Sequence, residues 1–217
     1  MLINNTSNRR RPKGSEGEYT KLFGEYRMAA ASGALTTVAA ATTIAGFVFT
    51  MRNPTASGKV VALRYLAIDF CNTTAFGAAQ NMGYDVIAAR AYTASATGGT
   101  AIDMGSTLSN SAKVRTNQAT SLFTANTCRI GSTGALTAGT QTLDAQPFAQ
   151  VQKLITTTIG GQIQAVLHDS RDDGGSTVRS PLEFAADEGF VIRNTILMGA
   201  SGVGTLIVNV EWDEVIL

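Results

Sequence analysis

Apolar residues recur at every second position in several stretches of this chain, and that period constrains the fold more than any other feature. In "TLIVNVEWDEV" (205–215), Leu206, Val208, Val210 and Trp212 share one face, while Asn209, Glu211 and Asp213 share the other. In "KVVALRYLAIDF" (59–70), Val61, Leu63, Tyr65 and Ala67 fall on one side. Val60, Ala62, Leu66, Ile68 and Phe70 fall on the other, with Arg64 among them. In "YDVIAARAYT" (84–93), Tyr84, Val86, Ala88 and Tyr92 alternate with Asp85, Ile87, Ala89 and Ala91. "FVIRNTIL" (190–197) is rich in β-branched residues, as strands are. Period two is the signature of half-buried strands. No helical period is sustained, and no strand–helix repeat is present, which excludes a doubly wound α/β fold. About eight or nine strands at this spacing predict an all-β protein, an antiparallel β-sandwich.

Glycine pairs punctuate the strands. "LITTTIGGQIQAVL" (154–167) reads as two strands around a Gly160–Gly161 hairpin turn, and Gly98–Gly99 and Gly174–Gly175 mark further turns. "GASGVGT" (199–205) has the glycine spacing of a phosphate-binding P-loop. Thr205 stands where the lysine is required, Leu206 where the magnesium-binding hydroxyl is required, and the loop leads into a strand. It therefore reads as the tip of the last hairpin, between 190–197 and 205–215.

Charge is distributed unevenly. Residues 1–28 carry six basic and three acidic side chains, a net of +3, and the remainder carries a net of −2. Residues 1–30 read as an extended N-terminal arm, ordered by a partner if at all, and 31–217 as the sandwich domain. Within the arm, "YTKLFGEYRMAAA" (19–31) reads as a short helix, and "RRRPK" supplies the candidate partner contacts Arg9, Arg10, Arg11 and Lys13. No aromatic RNA-reading motif accompanies them, so no specific nucleic acid is implied. Met28 to Met51 is free of charge, but Ala, Thr, Ser and Gly dominate it, too weak a hydropathy for a membrane helix. The start "MLINNTSNRRRPKG" has no apolar run of a signal peptide. Cys71 and Cys128 read as buried free thiols, since each sits in an apolar strand-like run.

Candidate chemistry is sparse. The single histidine, His168, opens "HDSRDDGG" (168–175), which reads as a solvated acidic loop: its acids miss the EF-hand spacing. No G-x-S-x-G elbow surrounds any serine. Carboxylates recur close together (Glu183 and Asp187, Asp187 and Glu188, Glu211 and Asp213), as in any chain with sixteen acids. The sequence therefore predicts a non-enzyme with no catalytic, cofactor-binding or metal-binding residue.

Three stretches carry a family resemblance: "ASATGGTAIDMGS" (94–106), "AKVRTNQATSLFTANTCRIGSTGALTAGTQTLDAQPF" (112–148) and "SPLEFAADEGFVIRNTILMGASGVGTLIVNVEWDEV" (180–215). Together they resemble structural virion proteins of tailed bacteriophages, nearest to the jelly-roll decoration, or cement, proteins. The resemblance implies a jelly roll, a homotrimer and a major capsid protein as partner. It also implies a place on the phage capsid surface after synthesis in the bacterial host cytoplasm. It runs from about residue 35 onward and does not cover the arm. Only 15% of residues are charged, against about 25% in ordinary globular proteins, which suits a subunit packed among others. The alternative is a carbohydrate- or receptor-binding sandwich module of a phage tail or fibre. Such sites favour exposed aromatics, and the one tryptophan, Trp212, falls on the core face of its strand.

Overall fold

The computed structural model describes residues 22–36, 38–39, 46–105, 112–114, 118–137, 139–171, 180–199 and 201–216. Twelve strands and no α-helix occur among them. They are β1 (Leu22–Ala31), β2 (Phe47–Arg52), β3 (Lys59–Thr74), β4 (Gln80–Ala94), β5 (Thr100–Ala101) and β6 (Cys128–Ile130). After these come β7 (Thr140–Leu143), β8 (Ala149–Ile155), β9 (Gln162–Asp169), β10 (Leu182–Phe184), β11 (Gly189–Asn194) and β12 (Val203–Ile216).

Two antiparallel sheets pack face to face, as the sequence predicts. Sheet I runs β1–β12–β3, and the far side of β3 pairs with β9 and, over three residues, with β10. Sheet II runs β5–β6–β2–β11–β4, and the far side of β4 pairs with both β7 and β8. The alternating residues of β12 close the core: Leu206, Val208, Val210 and Trp212 are all buried. Trp212 stacks on Tyr26 at 5.6 Å and meets the edge of Phe123 at 5.5 Å. Phe49, Phe70, Tyr84, Phe184 and Phe190 fill the rest. Each such side chain contributes roughly 1.5–3 kcal/mol by leaving water.

Several local expectations are overturned. The helix expected over 19–31 is strand β1 from Leu22 onward; Tyr26, Met28 and Ala30 face the core, and β12 pairs with it along its length. Residues 22–30, expected in the arm, thus form an outer strand of sheet I. The face assignment in 59–70 holds only in halves. β3 and β12 slip register between Tyr65 and Leu63, which leaves Arg64 as an extra, bulged residue. With a side-chain period of two, one extra residue flips the phase. Val61 and Leu63 therefore point inward together with Leu66, Ile68 and Phe70. A similar slip in β4 puts Tyr92 with Ile87 and Ala89 on the outer face, away from Tyr84, Val86 and Ala88.

Neither expected hairpin forms. β8 belongs to sheet II and β9 to sheet I, so Gly160–Gly161 turns the chain from one sheet to the other. The same holds for β11 and β12, which "GASGVG" connects across the sandwich. Glycine pairs report a sharp turn but carry no information on which sheet the next strand joins. The connections β1–β2, β3–β4, β8–β9 and β11–β12 gather at one end. Gly160 N donates to Asn72 O (3.0 Å), Gly199 N to Gln80 Oε1 (2.8 Å) and Met198 N to Val38 O (3.0 Å).

Candidate functional site

The two outer faces of the sandwich are treated differently by the chain. Behind sheet II lies a second small core of Phe47, Ile87, Ala89, Tyr92, Ala96, Leu136 and Val191, with Leu143 packed on it. The segments that close it are pinned by Thr97 N to Thr137 O (2.7 Å) and Leu136 N to Phe47 O (2.7 Å). Gly98 and Gly99 hold φ of 70° and 57°, the left-handed region open to glycine, and a Cβ on Gly99 would run into the Ile130 carbonyl. Between the covered surface and solvent, Arg193 pairs with Asp85, and both are nearly buried.

Among the described residues, sheet I has no such second core on its outer face. Cross-strand pairing sets three rows there. Ala29, Asn209, Ala67 and Val166 form the middle row, and Ala31, Ile207, Asp69 and Gln164 form the next toward the loop end. Val166 is 58% and Ile207 37% exposed, high for large apolar side chains on a regular strand. Small alanines between them leave the surface low and flat. The third row, Arg27, Glu211, Tyr65 and Asp169, is polar. Arg171 lies over the Tyr65 ring at 3.7 Å, binds Asp169 at 2.8 Å and reaches Glu211 at 3.4 Å. That hydrogen bond from Arg171 holds the Asp169 carboxyl below its ordinary range and pushes the guanidinium up in turn. A shallow open depression runs between this row and the middle one, lined by Arg27, Met28, Ala29, Tyr65, Asn209 and Glu211.

The free edge of β1 is closed by the chain itself. Arg27 N donates to Ala112 O (3.0 Å), Val114 N to Glu25 O (3.3 Å), and the Tyr26 hydroxyl to Ala119 O (3.0 Å). One buried carboxylate fastens the segment that follows. Glu214 is 0% exposed and accepts from Ser121 Oγ (2.7 Å), Leu122 N (2.9 Å), Trp212 Nε1 (3.4 Å) and Lys59 Nζ (3.0 Å).

The residues singled out by sequence are dispersed. Arg9, Arg10, Arg11 and Lys13 lie outside the described residues. His168 and Asp169 belong to strand β9, not to a loop. The His168 ring lies edge-on to Phe148, with Nε2 3.2 Å from Leu63 O. Among the described residues, no three of His, Cys, Asp and Glu gather closely enough to hold a metal ion. The neighbouring carboxylates each have a separate local partner: Asp187 has Arg52 and Thr55, Glu188 the Ala185 amide, Glu211 has Arg171 and Asp213 has Arg64. In the "GASGVGT" stretch a strand begins at Val203, and Gly202 lies under the Phe76 ring, so no helix N-terminus faces a phosphate. Cys128 is buried, Cys71 half-buried, and both are free thiols. Among the described residues no helix is long and apolar enough to cross a membrane.

Sequence reasoning missed the bare face as a site. The signal was faint: Val166 and Ile207 occupy positions in phase with polar residues, and only strand register shows that they share a surface. Comparison of the chain with protein-family models, with curated proteins and with solved structures returns no match in any of the three.

Proposed function

We propose that the protein is a structural subunit of a tailed-bacteriophage virion, a capsid decoration or cement protein. It works by packing among neighbours in a repeated array and performs no catalysis. The observation that carries this reading is the contrast between the two sheets: one outer face is sealed by the chain's own second core, while the other is flat and alanine-rich, and no described segment covers its exposed Val166 and Ile207. Antiparallel sheets tolerate one face in water, but apolar side chains set among alanines there suit contact with another protein.

The order of strands supports the jelly roll that the resemblance implies. Taking the eight principal strands, β1, β12, β3 and β9 make one sheet, and β2, β11, β4 and β8 the other. All successive pairs but β4–β8 change sheets, the path of two interleaved Greek keys. In this reading the partner is the major capsid protein, the oligomer is a homotrimer, and Arg9, Arg10, Arg11 and Lys13 meet acidic capsid surface. No observation favours a glycan site: Trp212 is buried, and Arg171 occupies the exposed side of Tyr65.

Quantitative mass spectrometry of purified particles tests the proposal. Copy numbers on the order of hundreds per particle are expected for a subunit repeated over a symmetric shell. Particles carrying Ile207→Glu or Val166→Glu are expected to lose occupancy and to break at lower temperature. Copy numbers of about ten or fewer, or intact wild-type particles without the protein, would refute it.

A further inference from the structure

The 33 charged side chains leave five stretches of fourteen residues or more uncharged: 28–51, 70–84, 130–143, 154–167 and 194–210. These windows are far apart in the chain. Four of them contain the connections β1–β2, β3–β4, β8–β9 and β11–β12; the fifth, 130–143, runs from the end of β6 through β7. The described residues of these four connections lie at the same end of the sandwich, where hydrogen bonds of 2.8–3.0 Å link Asn72 with Gly160, Gln80 with Gly199 and Val38 with Met198. Lys153, directly before one window, marks the boundary of the charge-free zone on β8. The ion pairs Arg52–Asp187, Lys59–Glu214, Arg64–Asp213 and Arg90–Asp144 lie toward the opposite end.

The uncharged end is also where apolar side chains stand in water. Ile159 is 68% exposed, and Leu154 and Leu197 are 57% exposed each. They are three of the four most exposed large apolar side chains among the described residues, and each comes from one of these windows or its turn. Their neighbours are neutral and polar: Thr156, Thr157 and Thr158 precede Ile159 in the chain, and Asn81 pairs with Leu154 across β4 and β8.

We infer that this end is a self-association surface, which meets the same end of a second copy of this chain across a two-fold axis. A two-fold contact sets a patch against itself. A patch with charge of one sign then repels its copy, and charges of both signs must be stripped of water to pair. A neutral patch with exposed Leu and Ile meets its copy with neither penalty. A lipid surface fits less well, because the basic residues that draw a protein to anionic headgroups are missing from the windows. The inference does not depend on the virion reading, which rests on the outer face of sheet I.

Analytical ultracentrifugation of the full chain tests it. The expected result is reversible dimerisation that persists or strengthens between about 0.05 and 1 M NaCl, because no ion pair is screened. Ile159→Glu and Leu197→Glu are each expected to weaken it at least about tenfold by setting like charges against each other. Val166→Glu, on the sheet I face, is expected to leave it unchanged. Since Ile159 sits exposed in a turn, Ile159→Cys is also expected to form a covalent dimer under mild oxidation. A chain that stays monomeric at about 100 μM, a threshold set well above a weak but specific Kd, overturns the inference. So does a dimer that dissociates in salt, one weakened by Val166→Glu but not by the end variants, or a trimer that forms no two-fold pair of trimers. Binding to neutral lipid vesicles by a monomer that Ile159→Glu abolishes would assign the end to a membrane and overturn it as well.

Discussion

Glu214 is the residue whose replacement tests the architecture most directly. Its carboxylate is fully buried and accepts from four donors: Lys59, Ser121, the Leu122 amide and Trp212. Glu214→Gln preserves the shape and keeps one oxygen for Ser121, Leu122 and Trp212. The loss then falls on Lys59, whose side chain is only 16% exposed and would face an amide N–H₂ instead of an anion. Removing one member of a buried pair costs roughly 3–5 kcal/mol, and the partial exposure of Lys59 sets the value near the lower end, about 3 kcal/mol. For a chain of this size that lowers Tm by about 6–12 °C. Urea unfolding followed by fluorescence measures it locally, because the single tryptophan donates to this carboxylate. Lys59→Met in the Glu214→Gln background is expected to recover about 1 kcal/mol or more, the coupling of a contacting pair. A Glu214→Gln protein within about 0.5 kcal/mol of wild type, the range of an ordinary surface change, would refute the reasoning.

Two further outcomes follow from the polar contacts. The Asp187 carboxyl is held below its ordinary value of 3.8, first by the hydrogen bond from Arg52 and then by that from Thr55. Its stabilisation is complete above the unfolded-state value and is lost as pH falls through the lowered folded one. Asp187→Asn, which still suits the left-handed backbone at φ 66°, is expected to flatten the decline of stability with pH below about 4 in acid titration; an unchanged acid limb would exclude the contact. The Tyr84 hydroxyl is buried with no hydrogen-bond partner among the described residues, and burial pushes its pKa up. Tyr84→Phe is expected to be neutral or to stabilise by up to about 1 kcal/mol in chemical denaturation, and a loss of that size would reveal a bound water instead.

How far the fold was legible in sequence depends on the range of the interactions that decide it. β12 reads correctly because its core residues alternate without interruption from Leu206 to Trp212. β3 reads correctly on each side of Arg64 and wrongly across it, since a bulge is set by the partner strand and leaves no mark in the apolar pattern. "YTKLFGEYRMAAA" has residues that suit a helix, yet pairing with β12 overrides that preference. The charge-free windows are plain in the sequence, but the convergence of four of them is a property of topology. The bare face was hidden for the same reason: Ala29, Asn209, Ala67 and Val166 become neighbours only through register.

The place of β12 bears on how the chain is made. It lies between β1 and β3 and supplies both with their longest run of pairing in sheet I. Among the twelve described strands it comes last in chain order, so it leaves the ribosome after the other eleven. Sheet I therefore cannot close until β12 has emerged, and β1 and the facing edge of β3 wait without their partner while the strands between them and β12 are made. Strand edges left open in this way recruit other chains. High-level expression thus selects for conditions that slow such encounters, and a lesion in β12 releases two strands at once where one in an outer strand frees only its own edge.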